Sequence, residues 1–430
     1  MSTTGMKTHI YKVKSKQGKI SLGIQTSKFR WVIFASVLFT YVVMSSQRTA
    51  PGLITDQLMT DFQVTATTIG LLTSIQFFVY TGLQMPMGIL ADRYGPNFFL
   101  ILGAILTGVG TIIYSLGTHE VILFFARILT GIGDATIWVN LVLILSRWFN
   151  EREFTRLIGV AGMTGSLGFL MATVPFSALI VLLGWRGAFL SGGILLCLCG
   201  IFLYIVLVKK PGHPMIEKKE VQREKTSVLL RRIFTNRQAW ALFLCHFGLV
   251  GGYLGFIGSW AVPYGMDMYG LTRLEASQLI MFSLIGALMG APLIGWISSR
   301  LGLIKQPYII FHIVTVLCWS TFLVFREGPP LFLLISLFFI IGFSFGSNSL
   351  TFAVVRQTFP TSESGMVSGF ANTGGFLSAV LLPAIFGGVL DHVTFGYYYG
   401  FIIPLIFSVF GLIGVNLINE KPQVATIPVR

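Results

Sequence analysis

Three charged side chains lie within long apolar stretches of this sequence: Arg48, Arg127 and Asp134. A charged side chain at the centre of a lipid bilayer costs about 2.5–3.5 kcal/mol on insertion scales, so each of these residues needs a partner or a purpose. A guanidinium in apolar surroundings can bind an anion, and a carboxyl group there can load and release a proton.

Arg48 is near the end of the first apolar run, shortly before Pro51 and Gly52. At 1.5 Å per residue it is about 25 Å along a helix that begins at Trp31, which places it beyond the midplane of the membrane. Its planar guanidinium matches a carboxylate or a phosphate. We predict that Arg48 binds an anionic substrate; the alternative is a structural ion pair with an acid such as Asp134.

Asp134 is close to the middle of the fourth apolar run. Burial raises the pKa of a carboxyl group, whereas a neighbouring arginine lowers it. A small change in access to water can therefore load or release a proton. We predict that Asp134 is the proton site and that Arg48 or Arg127, seven residues earlier on the same helix face, biases it. The alternative is a static ion pair that holds the fourth helix to the first.

Uncharged polar residues offer further candidates for a binding site. Gln76, Tyr80 and Gln84 are spaced by four and therefore share one face of a helix. Polar side chains facing lipid would be unfavourable, so this face lines a cavity or joins another helix. Gln47, beside Arg48, and Tyr253, in the seventh apolar run, complete this set of predicted substrate contacts.

The elements that position these residues are membrane helices. Hydrophobic residues make up 54% of the 430 residues and charged residues only 11%, whereas a soluble surface needs about a quarter of its residues charged. About 20 apolar residues span the hydrocarbon core of a bilayer. The runs of that length are 31–54, 67–90, 98–117, 121–146, 157–183, 187–208, 239–263, 276–297, 303–325, 331–355, 365–389 and 397–417. We predict an all-α membrane protein with twelve transmembrane helices in two pseudo-symmetric bundles of six.

The basic residues predict the orientation of these helices. All but five of the 30 lysine and arginine residues fall on one side of the predicted topology. Only Arg186, Arg273 and Arg326 fall on the other side, and Arg48 and Arg127 are within helices. Because cytoplasmic loops carry the excess of lysine and arginine, we predict a multi-pass protein of the cell (inner) membrane with both termini in the cytoplasm. This distribution accounts for the net charge of +14 without a nucleic-acid partner.

The chain divides into two similar halves. The predicted segments are a basic cytoplasmic tail at 1–30, a bundle at 31–208, a cytoplasmic linker at 209–237, a second bundle at 238–417 and a cytoplasmic tail at 418–430. The loop Gly88-Ile-Leu-Ala-Asp-Arg-Tyr-Gly95 in the first half corresponds to Gly295-Trp-Ile-Ser-Ser-Arg-Leu-Gly302 in the second. Two parallel halves with a site between them at mid-membrane is the plan of one class of transporter.

The sequence lacks the motifs of several other classes of protein. The sequence has no nucleotide-binding Gly-x-x-x-x-Gly-Lys-Ser/Thr loop, nucleophile elbow or zinc-hydrolase motif. Its four cysteines and the intramembrane His246 and His312 lack the spacing of metal ligands. We therefore predict that the protein is not an enzyme and that it uses no cofactor and no metal.

The loop at 88–95 resembles the signature of the major facilitator superfamily, Gly-x-Leu-Ala-Asp-Arg-x-Gly followed by Arg-Lys, although Pro96 and Asn97 replace the last two residues. The run Arg127-x-x-x-Gly131-x-Gly133 resembles the second motif of that family. The resemblance implies a charge network that latches the outward-open state. The residues that would form this latch are Gly88, Asp92, Arg93, Gly95, Arg147 and Arg300.

A narrower resemblance is to the anion:cation symporters of that superfamily. These proteins have an arginine in the first helix and an acid in the fourth, where this chain has Arg48 and Asp134. Their usual Asp-Arg pair is Gln47-Arg48 here, so one proton-carrying carboxylate is missing. Asn372 corresponds to a polar position that lines their cavity, which makes it a further predicted substrate contact.

These observations predict a secondary active transporter that moves a small organic anion, a carboxylate or a sugar acid, by proton symport and alternating access. Its predicted partners are the anion, protons and the lipid bilayer, and the predicted state is a monomer. Efflux of amphipathic compounds by proton antiport is the alternative. A sensor that binds a ligand without transporting it is a third hypothesis, although the intracellular loops are too short to hold a signalling domain.

Overall fold

The computed structural model describes residues 29–149, 151–209 and 226–419, and all regular secondary structure in these ranges is helical. We number the helices in chain order. They are α1 (Phe29–Thr49), α2 (Thr55–Phe62), α3 (Ala66–Tyr94), α4 (Pro96–Leu116), α5 (Glu120–Trp148), α6 (Glu151–Met171), α7 (Val174–Tyr204), α8 (Thr226–Thr235), α9 (Arg237–Val250), α10 (Ala261–Tyr269), α11 (Arg273–Leu301), α12 (Lys305–Val324), α13 (Leu331–Phe345), α14 (Ser349–Thr358), α15 (Thr361–His392), α16 (Gly396–Gly400) and α17 (Ile402–Asn416).

The described helices provide the twelve predicted membrane crossings. Eleven helical segments are long and apolar enough to cross a bilayer, and one of them, Val160–Lys209, has 50 residues. That segment changes direction at Gly184, whose φ of 69° and ψ of 164° are not helical, so it contains two crossings. Helices form here because lipid offers the backbone no hydrogen-bond partners, and a helix satisfies these groups internally. The prediction of an all-α protein with twelve membrane helices is confirmed.

Three of the membrane helices change their winding near the middle of the protein. α1 gives way to a 3₁₀ turn at Ala50–Leu53, where Pro51 lacks a backbone N–H group. α9 continues into a π-helical segment, Gly251–Ile257, and α13 ends in a 3₁₀ turn, Gly346–Asn348. Such departures from α geometry occur often at functional sites, and these three lie on both sides of the space between the halves.

The duplicated loop ends a membrane helix in each half. Gly95 follows α3 with φ of 94°, and Gly302 follows α11 with φ of 66°. A glycine adopts a positive φ without the steric cost that other residues incur, so the last residue of each copy stops the helix and turns the chain. The repeated motif is therefore a repeated helix end.

Among the described residues, the apolar contact between the two halves lies on the predicted outer side. One cluster of buried apolar side chains there includes residues from both halves, whereas each half has a separate cluster on the predicted cytoplasmic side. α3 and α15 cross as antiparallel neighbours, and a side chain at Gly70 would collide with the Pro383 carbonyl. This contact continues to Tyr80 and Phe376, whose rings are 4.7 Å apart. At Gly369, two turns further, no neighbouring atom lies within 4 Å of where a Cβ would be, so the halves separate beyond Phe376.

Polar contacts close the predicted outer side. The Asp391 carboxylate, at the end of α15, accepts hydrogen bonds of 2.9 Å from the Ala66 N–H and 2.7 Å from the Thr67 N–H, at the start of α3. Arg273, at the start of α11, forms an ion pair with Asp56 of α2, with Nη2 and Oδ2 2.6 Å apart. Free N–H groups at a helix start favour an anion, so Asp391 caps a helix of the opposite half.

We expect the substitution Asp391→Asn to favour opening on the predicted outer side. The variant keeps the shape of the side chain but loses a charge-assisted cap, and such bonds are worth about 1.5–3 kcal/mol. Ser259 is buried where the two halves meet on the predicted outer side. A cysteine introduced there should react with an external, membrane-impermeant maleimide at least about fivefold faster in the Asp391→Asn variant than in the parent. Both proteins in this comparison lack the four native cysteines, so that the maleimide labels only the introduced one.

Asp267→Asn provides the matched control for this measurement. Asp267 accepts a hydrogen bond of 2.7 Å from Tyr397, and both residues belong to the second half, so this change leaves the contact between halves intact. Equal labelling rates in the Asp391→Asn variant and the parent would show that the contact between Asp391 and the start of α3 does not keep the outer side closed.

Candidate functional site

An ion pair between the first and fourth membrane helices forms the centre of the site. Arg48 is in the last turn of α1, and Asp134 is the middle residue of α5. Arg48 Nε donates to Asp134 Oδ2 at 3.2 Å, and the two side chains are 7% and 1% exposed. A buried ion pair is costly to separate, because removing one partner leaves an uncompensated charge that costs about 3–5 kcal/mol.

Gln76 of α3 holds the same carboxylate oxygen. Its Nε2 donates to Asp134 Oδ2 at 2.8 Å, whereas Asp134 Oδ1 is buried and accepts no hydrogen bond from the described residues. A side chain at Gly131 would collide with the Gln76 carbonyl and with Val79, so this glycine lets α3 and α5 approach closely. One oxygen of the carboxylate therefore accepts from two donors, whereas the other accepts from none of the described residues.

Aromatic rings surround the Arg48 guanidinium. Its Cζ is 4.7 Å from the centre of the Tyr80 ring and 6.0 Å from that of Phe169, in α6. Rings at these distances stabilise a cation. Because Nε bonds Asp134, the two terminal nitrogens of the guanidinium provide the donors that an incoming anion would need.

Arg127 performs a different task from Arg48. Its Nε donates to the Leu72 carbonyl at 3.4 Å and its Nη2 to the Arg48 carbonyl at 3.5 Å. Its Cζ is 5.7 Å from the centre of the Tyr114 ring. The carbonyl groups at the end of α1 lack helical partners, and Arg127 supplies one. Arg127 therefore fixes the end of α1 that carries Arg48, and it adds a second positive charge near Asp134.

The other predicted substrate contacts of the first half have different positions. Gln47 is buried on another face of α1, where a side chain at Gly192 of α7 would collide with its amide group. Gln84 is half-buried one turn beyond Tyr80 on α3, towards the side where the halves separate. The structure thus brings Gln76 and Tyr80 to the ion pair and places Gln47 against α7. A contact with substrate stays a prediction for each of them.

Two predicted residues of the second half face the first half. Tyr253 lies in the π-helical segment, and its ring stacks on Phe345 with 4.0 Å between the ring centres. Its hydroxyl group is buried and makes no hydrogen bond to the described residues. Asn372 is half-buried and lies one helical turn from Phe376, on the face of α15 that meets Tyr80.

A small apolar cavity connects these two walls. It is lined by residues of both halves, among them Thr49, Phe169, Tyr253, Leu254 and Leu284. Thr49 follows Arg48 directly, and Phe169 is the residue whose ring is near the guanidinium. The cavity therefore lies between neighbours of the ion pair on one side and Tyr253 on the other.

The predicted latch is described in part. The side chains of Asp92 and Arg93 lie outside the described part of the structure, so the charge network stays a prediction. A side chain at Gly95 would be 4.0 Å from Arg147 Nη1, and one at Gly88 would be 3.7 Å from Val139. In the second copy, the exposed Arg300 has its Cζ 5.2 Å from the centre of the Trp296 ring.

The two intramembrane histidines have partners within the second half. His246 Nδ1 is 3.0 Å from Thr351 Oγ1, which is 2.7 Å from the Tyr308 hydroxyl. His312 Nδ1 is 3.0 Å from the Tyr308 carbonyl. Within residues 29–149, 151–209 and 226–419, no group of three histidine, cysteine or acidic side chains could hold a metal ion. The histidines thus join helices of one bundle.

Sequence reasoning missed the aromatic part of the site. Phe169, Phe345 and Phe376 each contact a residue that was predicted to bind substrate. With 38 phenylalanines in the chain, residue type alone carries no signal. Spacing offered one clue, because Phe376 is four residues from Asn372 and therefore shares its helix face.

Comparison with known proteins agrees with this architecture. A family model described as "Major Facilitator Superfamily" matches residues 33–383. The chain is 26% identical to a "Probable L-galactonate transporter" of Escherichia coli (strain K12), over 86% of this chain and 83% of that protein. It is 22% identical to a "Probable hexose phosphate transport protein" of Chlamydia trachomatis, over 89% of each.

A solved structure shares the fold. It is a bacterial homologue of the human lysosomal transporter Spinster in an inward-facing and unoccupied conformation, and it superimposes with a TM-score of 0.71. The match covers 91% of this chain and 96% of that one at 16% sequence identity.

Proposed function

We propose that this chain, which belongs to the major facilitator superfamily, imports a small organic anion together with protons. As the family match establishes, it is a multi-pass membrane transporter and not an enzyme. One observation carries the proposal: the buried guanidinium of Arg48 is paired through its Nε with the buried carboxylate of Asp134, one oxygen of which accepts no hydrogen bond from the described residues. The anion would bind the terminal nitrogens of Arg48, and the proton would bind Asp134.

The ion pair couples the two ligands. While Asp134 is ionised, it shares the positive charge of Arg48 and weakens the binding of another anion. Protonation of Asp134 removes this competition, so the proton raises the affinity for the anion. Conversely, an anion on Arg48 offsets the stabilisation that Asp134 receives from the guanidinium, so the anion favours protonation. Such reciprocal effects are required of any two coupled ligands.

Alternating access then carries both ligands across the membrane. We propose that the bundles at 31–208 and 238–417 rock about the site, with both termini in the cytoplasm and the protein acting as a monomer in the inner membrane. The residues of the predicted latch would hold the outward-open state, and Asp391 and Arg273 would hold the state described here.

A carboxylate fits the site better than a phosphate. Arg127 donates to two backbone carbonyls, so we propose that a single guanidinium, that of Arg48, binds the anion. A sugar acid would place its carboxylate at Arg48 and its hydroxyl groups near Gln84, Tyr253 and Asn372. The description of the Escherichia coli relative as a "Probable L-galactonate transporter" is in keeping with this class.

Export of amphipathic compounds by proton antiport is the second candidate. It is favoured by the apolar cavity between Phe169 and Leu284. In antiport the substrate would displace the proton from Asp134 instead of promoting its binding.

An assay in proteoliposomes tests the proposal. With the predicted outer side exposed to acid, labelled galactonate should accumulate inside, and the accumulation should collapse when a protonophore removes the pH gradient. A fluorescent cationic dye should not respond to that gradient. Movement of the dye against the proton gradient, with no uptake of galactonate or related sugar acids, would identify the protein as an exporter instead.

A further inference from the structure

Within the part of the chain that the structure describes, one carboxyl group lies near the middle of the membrane. Asp134 is the only acid of the described helices that is more than one turn from a helix end. The other acids of the membrane helices occupy first or last turns, as Glu275, Glu363 and Asp391 do. The fixed charges near the site are Arg48, Arg127 and Asp134, which sum to one positive charge when Asp134 is ionised.

We propose that each transport cycle moves one proton and one anion of a single negative charge, so that transport is electrically neutral. This inference rests on the proposed function and adds its stoichiometry and the charge of its substrate. The proton adds one positive charge at Asp134, and the anion adds one negative charge at Arg48. The loaded site then carries the same net charge as the empty site.

Equal charge in the two forms has a physical consequence. The loaded and the empty protein both change between their two states without moving net charge across the membrane, so the membrane potential favours neither step. A substrate with two negative charges would break this balance, because one proton compensates only one of them. The cycle would then move one negative charge, and an inside-negative potential would oppose its import.

Other ionisable groups near Asp134 do not add a second proton. Arg48 and Arg127 stay charged at every physiological pH. The phenols that face these charges, Tyr41, Tyr80 and Tyr114, keep their protons in that range. Gln47 and Gln76, in the helices packed against α5, do not ionise.

The buried histidines belong to a separate network. His246 and His312 contact Thr351 and the carbonyls of Tyr308 and Cys245, all within the second bundle. No described contact links them to Arg48, Gln76 or Asp134. A proton bound there would not exchange with the proton at Asp134.

Flux measurements at controlled voltage test the stoichiometry. The protein is reconstituted into liposomes, valinomycin and potassium gradients set the potential, and labelled galactonate is the singly charged probe. With one proton per anion, a gradient of one pH unit at zero potential should give a limiting accumulation of about tenfold. A potential of 100 mV, inside negative, at equal pH should give none.

A different stoichiometry predicts different numbers. With two protons per anion, the same pH gradient would give about 100-fold accumulation. The potential alone would give about 50-fold, because one net positive charge would enter in each cycle. Either result would overturn the inference and leave proton-coupled import intact.

A doubly charged probe adds an independent arm. Glucarate has two carboxylates, so its uptake with one proton should fall about 50-fold in limiting accumulation when 100 mV, inside negative, is added to the pH gradient. Unchanged accumulation of glucarate would also overturn the inference. Absence of pH-driven uptake of both sugar acids would contradict the proposed function itself, which distinguishes the two failures.

Discussion

Replacing Arg48 with alanine is expected to abolish saturable uptake of the anion while the protein still folds. The substitution removes the guanidinium that would bind the anion, and Asp134 can remain in the membrane in its neutral, protonated form. Bonds between ionised groups are about twice as strong as neutral ones, so the loss of a bidentate contact should reduce transport at least about 100-fold. Initial uptake rates over a range of substrate concentrations provide the measurement.

The lysine variant separates charge from geometry. Arg48→Lys keeps the positive charge but offers a single ammonium group in place of a planar pair of donors, so we expect the KM to rise about 10- to 100-fold. Arg186→Lys, at a half-exposed ion pair with Asp61 on the predicted outer side, is the control and should transport normally. Normal uptake by Arg48→Ala would remove this residue from the substrate site.

Replacing Asp134 with asparagine is expected to uncouple transport from the proton. The amide cannot take up a proton in this range, yet it still fits between Gln76 and Arg48. Concentrative uptake under a pH gradient should fall to the level measured without a gradient, which is a loss of about tenfold for each pH unit. Exchange of labelled for unlabelled anion should persist and should no longer depend on pH.

Exchange is the measurement that separates a proton site from a structural pair. If Asp134 only held α5 to α1, the asparagine variant would lose exchange and thermal stability together. Asp267→Asn, which changes an acid outside the central site, is the matched control and should keep its pH dependence. Uphill, pH-driven uptake by Asp134→Asn would contradict the proposed role.

Much of the architecture follows from local properties of the chain. A run of apolar residues partitions into lipid wherever it lies in the sequence, and its backbone then forms a helix, because no other arrangement of a single segment satisfies its polar groups. The number of crossings could therefore be predicted by length and hydropathy. The one long segment that contains two crossings has Gly184 at its bend, and the predicted runs 157–183 and 187–208 lie on either side of that residue.

The residues of the candidate site could be predicted less completely than the membrane helices. Arg48 and Asp134 were identifiable because a charge in an apolar run is rare and costly. Gln76 was predicted as a substrate contact, and its donation to Asp134 Oδ2 was not foreseen. Gln47 is adjacent to Arg48 in sequence but lies against α7, because neighbouring residues on a helix point in directions about 100° apart.

By itself, the sequence determined that the chain crosses a membrane, how many times it does so and which charges lie within lipid. Only the tertiary structure decided that Arg48 pairs with an acid 86 residues away, that Arg127 binds carbonyls instead of that acid, and that the halves close on the predicted outer side. The physical reason is that the free energy of transfer into lipid is a sum over the residues of one segment. An ion pair depends instead on the relative position of two helices. That position is set by all the side chains packed between them.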